Sequence, residues 1–439
     1  MFTYYIHIFG CQMNYADAER INTLLEKTGG ETADTSQDAQ LIVIIGCGVR
    51  QSADSKAVSV TKNIRRDNSK ALIILTGCLS NRTDIQKRLK GIVDIYLPIN
   101  KWRSFFKNDI RKLLQKKYID CYQTQLKSNL KEFYKISPKN SSSSTAYIPI
   151  MTGCNNFCSY CVVPIARGKE ISFSPENILT EAKELINNDY KEIILLGQNV
   201  NSYKGKDKKG EIWSFSKLIK KIHSIKGDFW IKFVSSHPKD VNQELIDALK
   251  LKKVSNHFHL PVQSGSDNIL AKMNRKYIQK DYLELIKKIR SQIPNIVLTS
   301  DYIIGFPGET DKDFKESIKV AKKAQFEMLY INKYSSRPQT AAEKLENDIP
   351  QNIKKKREKE LDKVWKEIAL QKNRKLIGKI KRVLIDSISK KESKKWVFGH
   401  TLCDKRIKAL VGRNTIKTGD WVYVKIDKVT PTALSGKIV

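Results

Sequence analysis

Apolar runs that stop at a Gly-Cys pair punctuate the first hundred residues. Residues 4–9 read as a strand and end at Gly10-Cys11; residues 41–45 end at Gly46-Cys47; residues 71–76 end at Gly77-Cys78. Helical spacing fills the gaps over 14–28 and 53–66, and a strand over 92–97 leads into a helix near 102–115. Strands alternating with amphipathic helices predict an open parallel α/β sheet. The periodicity fades over 117–145, which carries Cys121 and Ser141-Ser142-Ser143-Ser144 and reads as a linker. Alternation then resumes, with strands expected at 147–151, 192–196, 229–235, 257–262, 296–303 and 328–334. Six such units predict a second parallel α/β domain. The lysine-rich stretch 351–376 reads as a solvated connecting helix. Five short strands at 381–386, 396–401, 407–411, 421–426 and 434–439 predict a small β-barrel. The resulting α/β organisation is 1–116, linker 117–145, 146–376 and 377–439.

Composition narrows the function. A chain of 439 residues is long enough for two to four domains, each with its own core. No apolar run reaches membrane-spanning length, and the first residues lack the basic region of a signal peptide, so a cytoplasmic protein with no membrane partner is expected. Eight cysteines in so long a chain do not form a disulfide scaffold; clustered, they point to metal. The formal charge of +34 favours a polyanionic partner such as RNA, although a chain rich in Lys, Ile and Asn is also what an AT-rich genome produces.

The candidate chemistry begins at Gly153-Cys154-Asn155-Asn156-Phe157-Cys158-Ser159-Tyr160-Cys161. Three thiolates on one short loop suit an iron–sulfur cluster with one open iron, or a zinc knuckle that borrows a distant fourth ligand. In the first domain, Cys11, Cys47 and Cys78 each fall just past the carboxyl end of a parallel strand, the edge where ligands bind in open sheets. They read as a second three-thiolate site, or as three structural cysteines of the core.

The CxxxCxxC loop resembles that of the radical S-adenosylmethionine (SAM) superfamily, and the resemblance implies that the six central units form an open, partial (βα)6 barrel. Gly10-Cys11-Gln12-Met13-Asn14, the three Gly-Cys pairs, Val162-Val163-Pro164-Ile165-Ala166-Arg167-Gly168 and Leu196-Gly197-Gln198-Asn199-Val200 together resemble the methylthiotransferases, on the branch that modifies isopentenyladenosine in tRNA. The resemblance implies two 4Fe-4S clusters, one on Cys11, Cys47 and Cys78 and one, binding SAM, on Cys154, Cys158 and Cys161. It implies SAM contacts at Tyr160, Gln198, Asn199, Gln263, Ser264, Gly305 and Pro307. The carboxyl-terminal barrel resembles the TRAM module, with Trp396, Phe398, His400 and Arg413 as candidate RNA contacts, and Arg167 in the central domain is a further one. Partners implied are tRNA, an electron donor of flavodoxin or ferredoxin type and a sulfur source, acting on a monomer. Threonylcarbamoyl-adenosine in tRNA, or an aspartate of a ribosomal protein, is the alternative target within the family. A metal-stabilised RNA-binding protein without catalysis is the alternative outside it. The chain departs from the family at Gly46, at Phe173 where Arg is common, and at Gln339 where Gly is common.

Overall fold

The computed structural model describes residues 1–48, 51–106, 114, 130–346, 348–391, 394–412 and 415–439. The amino-terminal apolar runs become a parallel sheet: β1 (Phe2–Ile8), β2 (Gly30–Thr32), β3 (Leu41–Gly46), β4 (Leu72–Gly77) and β5 (Ile95–Tyr96), in spatial order 2-1-3-4-5. Every residue of β3 and β4 is buried. Helices cover both faces of such a sheet, so β3 and β4 read as nearly unbroken apolar runs, whereas β1 carries Thr3 and His7 and is only half-buried. Short and polar, Gly30-Glu31-Thr32 gives no such signal, and β2 is not anticipated by the sequence. The strands that precede the three Gly-Cys pairs, β1, β3 and β4, are neighbours in the sheet.

Six parallel strands build the central domain as two sheets of three. Trp230–Phe233, Glu192–Leu196 and Thr145–Pro149 form one; His257–His259, Val297–Ile304 and Met328–Lys333 form the other. A parallel bridge runs from Ile231 in the first to Val254, just ahead of the His257–His259 strand of the second. The expected partial barrel is present, with a seam between its third and fourth strands.

Two expectations need correction. The segment from Leu130 onward is not a solvated linker. Phe133, Tyr134 and Ile136 are buried in the same apolar core that holds Trp102, Ile148 and Trp365, so the first two domains share one interior. Nor is Gln351–Arg374 a solvated connector: Lys354, Arg357, Leu361, Trp365, Ile368 and Ala369 are buried along one face. The stripe has helical spacing, but two of its positions are cationic, which disguises it in the sequence. Arg357 pairs with Glu309 at 2.7 Å, and the Lys354 ammonium donates to the Tyr334 carbonyl at 3.3 Å. Cys121 lies outside the described residues.

Five strands close the carboxyl-terminal barrel: Ile380–Lys391, Lys394–His400, Arg406–Leu410, Ala433–Ile438 and Trp421–Val429 in spatial order. This barrel seats on the amino-terminal end of the central one. Trp421 packs edge-on against Trp230 with centroids 4.4 Å apart, and Ser255 donates to the Leu402 carbonyl at 2.5 Å. Among the described residues no helix is long and apolar enough to cross a membrane.

Candidate active site

Cys11 caps the helix that follows β1, in extended conformation. Cys47 and Cys78 directly follow β3 and β4. Gly10 has φ +112°, and a side chain there would collide with the Cβ of Cys47. The bare backbone is what lets these two turns touch. A Cβ on Gly48 would sit 3.4 Å from that of Cys78. Three thiols thus gather at one sheet edge, where the topology rule places ligands. A hydrogen bond with Cys47, opposed by burial and helped by the Arg167 charge, brings the Cys11 thiol down to about 6. The departure at Gly46 has a local cause: any side chain there would run into Leu79, which is fully buried.

The second triad rides on the loop after the first barrel strand. Gly153, at φ +78°, lies so close to the Lys169 carbonyl that a Cβ would not fit. Gly153 N–H donates to Gln198 Oε1 at 2.5 Å, and Cys154 N–H to the Gly168 carbonyl at 3.3 Å. The segment after Lys272 clamps the other side: Ser159 N–H donates to the Met273 carbonyl at 3.0 Å and Asn274 Nδ2 to the Phe157 carbonyl at 2.9 Å. Arg275 completes the clamp, donating from Nη1 to Cys158 Sγ at 3.4 Å and from Nη2 to the Pro261 carbonyl at 2.8 Å. Burial pushes the Cys161 thiol up to about 12 and raises that of Cys154. Soft thiols held on rigid turns, with a guanidinium N–H on one sulfur of each set, fit an iron–sulfur cluster with an uncovered iron. Among the described residues no three His, Cys, Asp or Glu side chains converge as a single-ion site requires. A cubane takes its thiolates on separate irons and so at wider spacing than one tetrahedral zinc.

The two loops meet. A Cβ on Gly48, next to Cys47, would lie 3.5 Å from the side chain of Val162, next to Cys161. Asn81 donates to the Ala166 carbonyl at 3.1 Å, and buried Asp54 takes both Arg82, at 2.5 Å, and Arg337 from the central domain, at 2.7 Å. Beside this junction lies a cavity of about 840 Å³, lined by Tyr160, Cys161, Gln263, Asp301, Asn332 and Gln51 among others. It opens at the carboxyl end of the barrel strands, next to one triad, and is walled in part by the domain that carries the other.

The structure sorts the remaining expected contacts. Tyr160 and Gln263 line the cavity. Gln198 instead holds the loop through Gly153, and Asn199 faces away, donating to Asp240 at 2.7 Å. Ser264 is buried and accepts from the Ser266 N–H at 3.2 Å. Pro307 is buried in the turn that begins at Gly305. Gly305 gives its N–H to Glu309 at 2.7 Å and makes room for the Lys354 chain, so this turn serves packing.

Two RNA contacts are overturned by burial. The Arg167 side chain is 4% exposed and bonded inside the first domain. His400 is buried between Glu192, 2.8 Å from Nε2, and Asp386, 2.9 Å from Nδ1. Trp396 remains on the barrel surface, half-buried with the Lys408 ammonium 4.0 Å from its ring centre. Phe398 is exposed in the same strand. Arg413 lies outside the described residues. Phe173 is buried on the Tyr134 ring, 4.6 Å between centroids, and takes no surface role. Arg275 and Asp301 were not anticipated, because nothing in the local pattern marks a charged residue that folding will bury beside a thiol or a cavity.

A partial parallel barrel whose first turn carries CxxxCxxC defines a radical SAM protein. Residues 148–321 match the Radical SAM superfamily and residues 3–97 match an uncharacterized protein family, UPF0004. The chain is 38% identical over 444 residues to tRNA-2-methylthio-N(6)-dimethylallyladenosine synthase of Clostridium botulinum, covering 99% of this chain and 96% of that one. The synthase of the same name from Thermoanaerobacter sp. is 38% identical over 451 residues, covering 99% and 92%. That from Finegoldia magna is 37% identical over 444 residues, covering 100% and 94%. The chain therefore belongs to the radical SAM methylthiotransferase family, whose cofactors are SAM and two 4Fe-4S clusters. Among solved structures, the radical SAM methyltransferase TsrM from Kitasatospora setae aligns with TM-score 0.50 at 12% identity over 77% of this chain and 76% of that one. The cobalamin-dependent radical SAM enzyme OxsB aligns with TM-score 0.51 at 12% identity over 83% and 56%. These two show likeness of fold alone.

Proposed function

We propose that this chain adds a methylthio group to carbon 2 of isopentenyladenosine next to the anticodon of tRNA. The observation that carries the reading is the meeting of the two cysteine-bearing loops, Gly48 beside Cys47 against Val162 beside Cys161, next to a cavity lined by Cys161 and by Gln51 of the first domain. Cys154, Cys158 and Cys161 would hold the SAM-binding cluster, and Cys11, Cys47 and Cys78 the other. When bound, SAM and its cluster supply a carbon radical able to take hydrogen from an unactivated C–H bond, and the second cluster supplies the site for sulfur.

This chain's own residues do the rest. The Gly153 turn, Gln198 and the segment 272–275 fix one thiol set; the Gly10 turn fixes the other. Tyr160, Gln263 and Asp301 form the wall against which a base would be oriented. Val162 lies against Gly48 where the two loops meet. The cavity admits a base that has left its stack, which suits a single-stranded anticodon loop. Trp396, Phe398 and Lys408 offer the barrel face on which RNA would lie. The reading further assigns residues 1–116 to the sulfur site, 146–376 to the SAM site and 377–439 to RNA. It includes an electron donor of flavodoxin or ferredoxin type, a sulfur source, a monomeric state and a cytoplasmic setting.

The test replaces Cys11, Cys47 and Cys78 together with Ala and supplies isopentenylated tRNA and SAM. 5′-Deoxyadenosine should still form, and no methylthio nucleoside should appear by mass spectrometry. Methylthiolation that survived in this variant would sink the assignment of the first domain.

A further inference from the structure

Arg167 ends the short helix Val163–Arg167, six residues after Cys161, yet its side chain enters the amino-terminal domain. There Nε donates to Cys78 Sγ at 3.2 Å and Nη2 to Asn14 Oδ1 at 2.9 Å. Asp17 Oδ2, fully buried, lies 2.8 Å from Nη2. Tyr134 holds Asp17 from the other side, donating to Oδ1 at 2.7 Å, and its hydroxyl is 3.5 Å from Nη1. The guanidinium is thus aimed by three neighbours, with its Nε–H directed at the sulfur. The next residue, Gly168, has φ +77° and turns the chain so that its carbonyl receives the Cys154 N–H. Two consecutive residues therefore touch one member of each thiol set.

We infer that Arg167 is a positioning residue that sets the reduction potential of the cluster on Cys11, Cys47 and Cys78, acting from the domain that carries the other triad. An N–H donated to a ligand sulfur draws electron density from it, and a buried positive charge favours the more negative, reduced cluster. Asp17 and Asn14 orient the fork but do not reach the sulfur, so their role is to aim it. Nothing else among the residues described around Cys78 brings a full positive charge to hydrogen-bonding distance of its sulfur.

The inference rests on the proposed cluster assignment, and the experiment separates the two. In the full chain with Cys154, Cys158 and Cys161 changed to Ala, iron content reports whether the remaining triad holds a cluster at all. About half the iron of the intact protein is expected; none would remove the basis of the inference. In that background, electron paramagnetic resonance during a redox titration reads the potential with Arg167, with Arg167→Lys and with Arg167→Gln. Arg167→Gln removes the charge and the N–H on the Cys78 sulfur together and should lower the reduced-to-oxidised ratio at a fixed potential about tenfold. That is a shift of about 59 mV to more negative potential for a one-electron couple. Arg167→Lys keeps a charge without the fork and should fall between. Unchanged potentials at unchanged iron content would overturn the inference. So would loss of iron from both variants, because Arg167 would then be a brace for the site and not a setter of its potential.

Discussion

Gly10 shows how much one missing side chain decides. Its positive φ and its contact with Cys47 leave no room for a Cβ. Gly10→Ala is expected to push the Cys11 turn away from Cys47 and cost the protein about half its iron, consistent with loss of one of two clusters. SAM cleavage should persist, because the other triad sits on its own loop. Iron analysis with a 5′-deoxyadenosine assay checks both halves, and full iron content would contradict the geometry. Gln339 makes the complementary point: it holds φ +68° at the position where the family commonly has Gly. Its N–H donates to Glu343 at 2.7 Å, so a local hydrogen bond holds a conformation that Gly adopts without strain.

At the scale of an element, the helix Gln351–Arg374 carries its burial through cations. The Arg357 and Glu309 side chains are 6% and 1% exposed, and the pair is bonded at 2.7 Å. Removing one partner strands a buried charge, which costs about 3–5 kcal/mol. Arg357→Met should therefore lower the urea midpoint sharply with little change in slope. A midpoint within error of the parent protein would show that Glu309 finds another partner. Hydrophobic patterning missed this face because Lys354 and Arg357 stand where a typical stripe has Leu or Ile, and only the positions of Glu309 and the Tyr334 carbonyl make them tolerable.

For the whole molecule, the seat of the carboxyl-terminal barrel is polar at its centre. Glu192 takes Lys232 and His400, each at 2.8 Å, and Lys232 also reaches Asp404 at 3.0 Å. Burial disfavours the His400 imidazolium, but hydrogen bonds to Asp386 and Glu192 outweigh it and raise its pKa. A group with a raised folded pKa gives its full stabilisation below its unfolded value, about pH 6.5, and loses it as pH rises through the folded value. Asp404 runs the other way. Burial opposes its charge, but Lys232 prevails and holds it at about 2, so its contribution is lost only in strong acid. The His400 contribution to the melting temperature should therefore fall as pH rises from about 6 to 9, opposite to that of the lowered Cys11 thiol, and His400→Gln should remove that fall; a pH dependence identical to the parent protein's in the variant would remove His400 from the account. The same seat makes deletion of 380–439 a poor test of RNA binding, since it uncovers Trp230 and the Glu192–Lys232 pair. Trp396→Ala and Lys408→Ala in the full chain are cleaner. The first should weaken tRNA binding by about 1–3 kcal/mol if a base stacks there. The second should reduce the salt dependence by about one counterion. Affinities unchanged by either would take RNA off this face.

Sequence alone determined what depends on local order. The two central strands β3 and β4 are continuous apolar runs, each Gly-Cys pair marks where a strand ends, and the CxxxCxxC loop keeps its ligands within eight residues. The small barrel announced itself through short strands broken by turns. Tertiary structure alone decided which charged residues became internal. Arg167, Arg275, Lys354, Arg357 and His400 look like surface residues in a chain of net charge +34. Each is buried against an acceptor that lies tens to hundreds of positions away in the chain, or beyond a turn that no periodicity predicts. A buried cation is stable only with its partner in place, and partnership across the fold is set by how the domains pack, which no window along the sequence contains.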